Sequence, residues 1–265
     1  MDGMQKQDAV GPEIADAAPD LLAKKVAVSW PRIAMLGIAA GAFIAFGSIA
    51  YLIVQGAGET TGAVQLLSGA AFSIGLMLVV VTAAELFTGD TMLMLPAATG
   101  KMRVSVMLGT WAVVWLTNLI GSLAIVGLFL AAGGLNGLDG GIGEAAAATA
   151  ATKLGKGAAA TLASGILANM LVCLAVWMAM GAKQVAAKLI AVVPPVTLFV
   201  AAGFEHSIAN MSLLPLGLAA AGWPGGVGVA VASNLALSTA GNILGGAAVA
   251  FALGSGHGVV PADDD

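Results

Sequence analysis

Residues 201–215 read Ala-Ala-Gly-Phe-Glu-His-Ser-Ile-Ala-Asn-Met-Ser-Leu-Leu-Pro, with Glu205, His206 and Asn210 in the middle of an apolar region. That region is long enough to lie inside a membrane, where ionisable groups are costly unless they face a cavity or a partner. A polar knot in such a span is a candidate functional site. Residues 79–96 repeat the design: an apolar run passes into Glu85-Leu86-Phe87-Thr88-Gly89-Asp90-Thr91-Met92 and returns to Leu93-Met94-Leu95-Pro96. Laying 91–96 on 210–215 aligns the two knots and sets Thr88 opposite Ser207.

The rest of the chain places both knots in lipid. Of its 265 residues 59% are hydrophobic and 9% charged, with a mean hydropathy of +0.99, whereas a soluble domain carries about a quarter charged residues. This is the composition of a polytopic membrane protein. Apolar runs of about 20 residues or more, the length that crosses the hydrocarbon core, fall at 33–54, 63–84, 104–132, 158–180, 189–203 with a continuation to 221, and 227–253. The sequence therefore predicts an all-α membrane protein of six transmembrane helices, the second and fifth broken.

Residues 1–29 carry charges of both signs and no signal-peptide core, so no cleavage is expected. Residues 14–28 fit either a short amphipathic helix on the membrane surface, with Lys24 and Lys25 near the headgroups, or a solvated leader. Lys6, Lys24, Lys25 and Arg32 precede the first span, Lys101 and Arg103 lie between the second and third, and Lys183 and Lys188 between the fourth and fifth. The alternate connections hold almost no cations, only Lys153 and Lys156 within 133–157. The positive-inside rule then sets both termini in the cytoplasm. Residues 30–255 form the transmembrane domain and 256–265 a cytoplasmic acidic tail. Cys173 is the single cysteine, which excludes disulfide frameworks and cysteine-based metal sites; no metal or cofactor is expected.

The halves repeat. Gly37-Ile38-Ala39-Ala40-Gly41-Ala42-Phe43 matches Gly165-Ile166-Leu167-Ala168-Asn169-Met170-Leu171, and Asn118-Leu119-Ile120-Gly121 matches Asn242-Ile243-Leu244-Gly245. With the knots between them, the order is first to fourth, second to fifth and third to sixth. Three spans per repeat is odd, so the second half enters from the opposite side, giving inverted repeats. Unwound backbone inside a membrane needs protein or water to satisfy it, which a pore supplies. Gly89 and Pro96, and Gly203 and Pro215, bound the expected interruptions. Half-helix N-termini facing the middle would offer free N–H groups suited to a small anion.

Three stretches carry a family resemblance: Ala84-Glu85-Leu86-Phe87-Thr88-Gly89, the run from Gly165 to Met178, and Gly203-Phe204-Glu205-His206-Ser207-Ile208-Ala209-Asn210-Met211. Over roughly residues 25–255 the chain resembles the formate/nitrite transporter family. The resemblance implies a homopentamer in the cytoplasmic (inner) membrane, embedded in lipid, whose aquaporin-like protomers each hold a pore. It implies His206 as the central pore histidine, Thr88 facing it from the other half, and Lys153 and Asn169 as the vestibule lysine and the polar residue of the fourth segment. Phe72, Leu76, Leu86, Phe87 and Phe199 match residues of the constrictions on either side of the histidine. Glu205 resembles the acidic neighbour of the histidine and is read as structural, as is Asn242. Lys153 also fits a solvated loop lysine, and Lys156 is given no role.

The function this implies is a channel or transporter for small monovalent anions, formate or nitrite, and not an enzyme. A lysine would concentrate the anion, and His206 would stabilise it or hand it a proton, so that passage is proton-coupled. Formate is preferred narrowly, with hydrosulfide as the alternative within the family. A neutral-solute channel of the aquaporin type is disfavoured because no Asn-Pro-Ala pair occurs, and an intramembrane serine protease because Gly-x-Ser-Gly is absent. Nothing points to nucleic acid as a partner.

Overall fold

In the computed structural model, which describes residues 8–260, the chain is helical and has no strand among the described residues. The helices are α1 Gly11–Lys25, α2 Trp30–Gln55, α3 Gly62–Thr82, α4 Phe87–Asp90, α5 Met94–Ala98, α6 Val104–Ala131, α7 Gly141–Leu154, α8 Ala158–Gly181, α9 Val185–Ala201, α10 Ser207–Ala220 and α11 Gly228–Gly256. Short 3-10 turns occupy Thr91–Leu93 and Gly134–Asn136. Helices α2, α3, α6, α8 and α11 are long and apolar enough to cross a membrane; α9 has 17 residues. The end of the expected acidic tail, 261–265, lies outside the described residues, as do residues 1–7.

Packing follows the sequence repeat. In one half α2 packs against α3 and α6, in the other α8 packs against α9 and α11, and α3 meets α9 across the middle. The α2–α6 seam is close because it is built on Gly41 and Gly121: a Cβ on Gly41 would strike the Asn118 backbone, and one on Gly121 the Ile38 carbonyl. Small residues substitute for hydrophobic drive here, since lipid tails are as apolar as leucine and close van der Waals contact must hold the helices together.

Both breaks have the same form. Helix α3 ends at Ala83, which takes φ +53°, and α9 ends just before Gly203, at φ +66°. Short non-helical segments then lead into the half-helices α4 and α10. The first interruption therefore lies before Gly89 and Pro96, not between them. Gly89 is inside α4, Pro96 inside α5 and Pro215 inside α10. Ala83 accepts the left-handed conformation that glycine adopts more cheaply, so no residue type marks the site.

Two connections are more structured than composition suggests. Residues 11–25 form helix α1, which buries Ile14, Ala18 and Leu22 against the protein, where it meets α5 and α8, and leaves Asp16, Asp20 and Lys24 exposed. The 133–157 connection folds Glu144 and the alanine run after it into α7, which packs on α10.

Candidate functional site

Two asparagines hold the breaks open. Asn118 accepts the Phe87 N–H at 3.0 Å and donates to the carbonyls of Gly37 at 2.8 Å and Glu85 at 2.9 Å. Asn242 accepts the Ser207 N–H at 2.8 Å and donates to the carbonyls of Gly165 at 2.8 Å and Glu205 at 3.0 Å. Buried backbone groups left without partners are costly, and one amide per half satisfies three of them. These bonds set the register between halves: Glu85 corresponds to Glu205 and Phe87 to Ser207. Thr88 consequently corresponds to Ile208 and not to Ser207, one residue from the alignment made on Pro96 and Pro215. The first N–H of each half-helix is occupied, so these groups are not free to bind an anion as the sequence suggested.

His206 is the N-cap of α10. Its Nδ1 accepts the Ala209 N–H at 3.1 Å, and its Nε2 lies 3.0 Å from Thr88 Oγ1 on α4 of the other half. An Nδ1 that accepts carries no proton, so the neutral ring holds its hydrogen on Nε2. That hydrogen points toward Thr88. Phe199 stacks on the imidazole with ring centres 5.6 Å apart, and Phe72 meets Phe199 edge-on at 5.8 Å.

Cavities lie on both sides of this contact. One of about 40 Å³, room for about one small molecule, is lined by Tyr51, Phe72, Lys153, Phe199, His206 and Leu213. Tyr51 and Lys153 are shared with a cavity of about 290 Å³ that adds Gln55, Lys156 and Glu205. On the other side a cavity of about 370 Å³ is lined by Lys25, Leu76, Leu86, Gly89 and Lys188. Leu76 stands one turn beyond Phe72 on α3, so apolar side chains separate the chambers.

Each glutamate of the breaks is paired with lysine. Glu205, fully buried, meets Lys153 Nζ at 3.2 Å and Lys156 Nζ at 2.7 Å, and receives Asn210 Nδ2 at 2.7 Å. Glu85, also fully buried, lies 2.7 Å from Lys25 Nζ, which is equally close to Asp90. Burial works against the Lys25 charge, but the Asp90 and Glu85 carboxylates outweigh it and hold its pKa above the ordinary lysine value. Lys25 thus faces protein and not headgroups.

The structure brings His206, Lys153, Glu205, Phe72, Leu76, Leu86 and Phe199 around these chambers, and Thr88 against His206. Phe87 is not among them: it packs on Trp111 with ring centres 6.3 Å apart and lines a groove on the α6–α11 side. Asn169 lies behind the site, donating to Thr91 Oγ1 at 2.9 Å and to the Asn242 carbonyl, while Thr91 donates to the Thr88 carbonyl at 2.7 Å. Sequence reasoning missed Lys25, Lys156 and Asp90. The signal for Lys25 was present: the spacing from Gly37 to Gly165 also takes Lys25 to Lys153.

A family model described as formate/nitrite transporter matches residues 12–254. The Bacillus subtilis transporter YrhG is 38% identical over 240 residues, 89% of this chain and 88% of that protein. The Haemophilus influenzae formate channel FocA is 37% identical over 69% of this chain, the match spanning 66% of the FocA length. A solved structure described as a pentameric formate channel with formate bound superposes with a TM-score of 0.74 at 33% identity, covering 82% of this chain and 93% of that one.

Proposed function

From the premise that the chain belongs to the formate/nitrite transporter family, and is thus a multi-pass membrane protein and not an enzyme, we propose that it conducts small monovalent anions, formate or nitrite. It does so as a homopentamer in the cytoplasmic membrane, with six crossings per protomer and both termini in the cytoplasm. Residues 30–255 form the channel domain, between an N-terminal segment 1–29 and a tail 256–265. Formate is the first choice of substrate because the relative FocA and the pentameric structure are both described as formate channels.

The observation that carries this reading is the 3.0 Å approach of Thr88 Oγ1 to His206 Nε2. It joins the two breaks, with a cavity beside His206 on one side and the chamber lined by Leu86 and Gly89 on the other. An anion enters the chamber of Lys153 and Lys156, where cationic groups raise its local concentration. Dehydration in the apolar slot between Phe72, Phe199, Leu76 and Leu86 disfavours a bare charge, so the anion crosses with a proton. His206 donates its Nε2 hydrogen to the passing oxygen in place of Thr88. With Nδ1 held by Ala209, hydrogen-bond donation is the role the ring performs without breaking its cap, and the proton arrives with the anion.

The test is anion flux into liposomes holding purified protein, comparing formate, nitrite and hydrosulfide between about pH 5 and about pH 8, with glycerol as control. Selective anion entry that strengthens as pH falls is expected. Glycerol entry without anion entry would sink the reading and favour a neutral-solute channel.

A further inference from the structure

The way from the chamber of Lys153 and Lys156 to His206 passes a doorway. The cavity of about 290 Å³ and the cavity of about 40 Å³ beside His206 have Tyr51, Lys153, Val200 and Gly203 in common. Val200 is apolar, and the Gly203 N–H already donates to the Val200 carbonyl at 2.9 Å. The donors an anion meets between the two cavities are therefore the side chains of Tyr51 and Lys153.

Both have capacity for a guest. An ammonium group has three N–H donors, and Lys153 gives one of them to Glu205 at 3.2 Å. Tyr51, half-buried on α2, places its hydroxyl beside Thr149 of α7. A Thr149 O–H directed at the phenol oxygen leaves the phenol O–H for another acceptor. The seam carrying this pair is fixed. A Cβ on Gly56 would strike the Gly141 backbone and one on Gly141 the Gly56 carbonyl, so the end of α2 is locked against the start of α7.

We infer that Tyr51 and Lys153 form a two-point subsite for anions that carry two oxygens on one atom, as formate and nitrite do. Tyr51 is its specificity-determining residue, and Thr149 positions the phenol hydroxyl. The inference rests on the anion-conduction reading above. Lys153 takes one oxygen and Tyr51 the other, so part of the hydration shell is replaced before the anion meets the apolar walls of Phe72 and Phe199, which offer no replacement. Sulfur is a weak acceptor, so hydrosulfide gains little from the phenol and is held by Lys153 through its charge. The subsite thus separates the two oxyanions from hydrosulfide, which attraction to a lysine alone does not do.

The test is uptake of labelled formate or nitrite into liposomes at one fixed pH, with unlabelled formate, nitrite and hydrosulfide as competitors. Tyr51→Phe keeps the ring and removes the hydroxyl. It should raise the half-inhibiting concentrations of formate and nitrite roughly threefold to tenfold, the worth of one net hydrogen bond, and leave that of hydrosulfide in place. Thr149→Val should act in the same direction more weakly, and should add nothing in the Tyr51→Phe background. Should Tyr51→Phe fail to assemble, Tyr51→Met removes the same hydroxyl and is read by the same ratio of formate to hydrosulfide. Unchanged competition by formate and nitrite, or equal weakening of all three anions, would overturn the subsite. Absence of any uptake in the wild type would instead overturn anion conduction itself.

Discussion

Lys25 and Lys153 hold equivalent places in the two halves: each stands at the C-terminal end of the helix that precedes a repeat, against the glutamate that opens the break. The repeat therefore includes α1 and α7. Helix α1 touches α5 as α7 touches α10, so both short helices are part of the frame around the breaks. What a membrane cannot solvate at Glu85 and Glu205, these helices neutralise.

Removing Lys25 should release α1. Lys25→Met leaves the buried Glu85 and Asp90 without a cation, a loss of about 3 kcal/mol for breaking such a pair, and hydrogen exchange over residues 11–25 should rise at least tenfold. Adding Asp90→Asn should restore part of the protection. The pH sign follows from the raised pKa of Lys25: its contribution is complete below the unfolded lysine value of about 10.4 and fades only as pH climbs through the folded value. The Lys25 charge itself should thus stay in place through about pH 9 and be lost only in strongly alkaline solution. Loss of α1 protection at lower pH would show that a partner of Lys25 titrates first.

Lys153 and Lys156 should be partly redundant for folding and additive for capture. Lys153→Gln or Lys156→Gln leaves Glu205 with one lysine and Asn210, so either protein should assemble, with the formate concentration for half-maximal flux raised roughly threefold. The double variant orphans Glu205 and should fail to assemble unless Glu205→Gln is added. Normal assembly of the double variant would show that Glu205 does not need a cation.

Asn242→Ala should be among the most destabilising single changes in the transmembrane region. It strips partners from the Ser207 N–H and from the Gly165 and Glu205 carbonyls, and each orphaned buried group costs about 1–3 kcal/mol. The total expected is about 3–5 kcal/mol, read as a lowered melting midpoint in detergent. Asn118→Ala should cost a similar amount, because it makes the same three bonds. A variant at either site melting like the wild type would mean that the breaks find other partners.

Much of this was legible in the sequence because lipid punishes polar groups. Glu85, Thr88, Glu205, His206 and Asn242 stand out in apolar runs, and their duplication exposes the repeat. What stayed hidden depended on long-range geometry. Alignment on Pro96 and Pro215 misplaced the register by one residue, since the backbone bonds of Asn118 and Asn242 set it and the prolines do not. Ala83 carries no composition signal for its left-handed turn. Lys156 and Lys25 look like loop and leader cations until α7 and α1 fold them onto Glu205, Glu85 and Asp90. Phe87 has the residue type of a constriction, yet its ring packs on Trp111.

His206→Asn separates hydrogen-bond donation from proton transfer. Asparagine is a strong N-cap, its side-chain oxygen accepting the bond that Ala209 now gives to Nδ1, and its amide NH₂ supplies a donor toward Thr88. It does not titrate. If His206 acts by donating its Nε2 hydrogen while the proton travels with the anion, the variant should assemble, conduct formate at a rate reduced roughly threefold to tenfold for a shorter and displaced donor, and keep the wild-type rise of flux toward low pH. If the imidazole itself passes the proton, that rise should vanish. A second substitution, His206→Leu, should lose both cap and donor and abolish flux, which fixes the floor against which the asparagine variant is read. Flux that persists in the asparagine variant but no longer depends on pH would return the proton to the histidine ring.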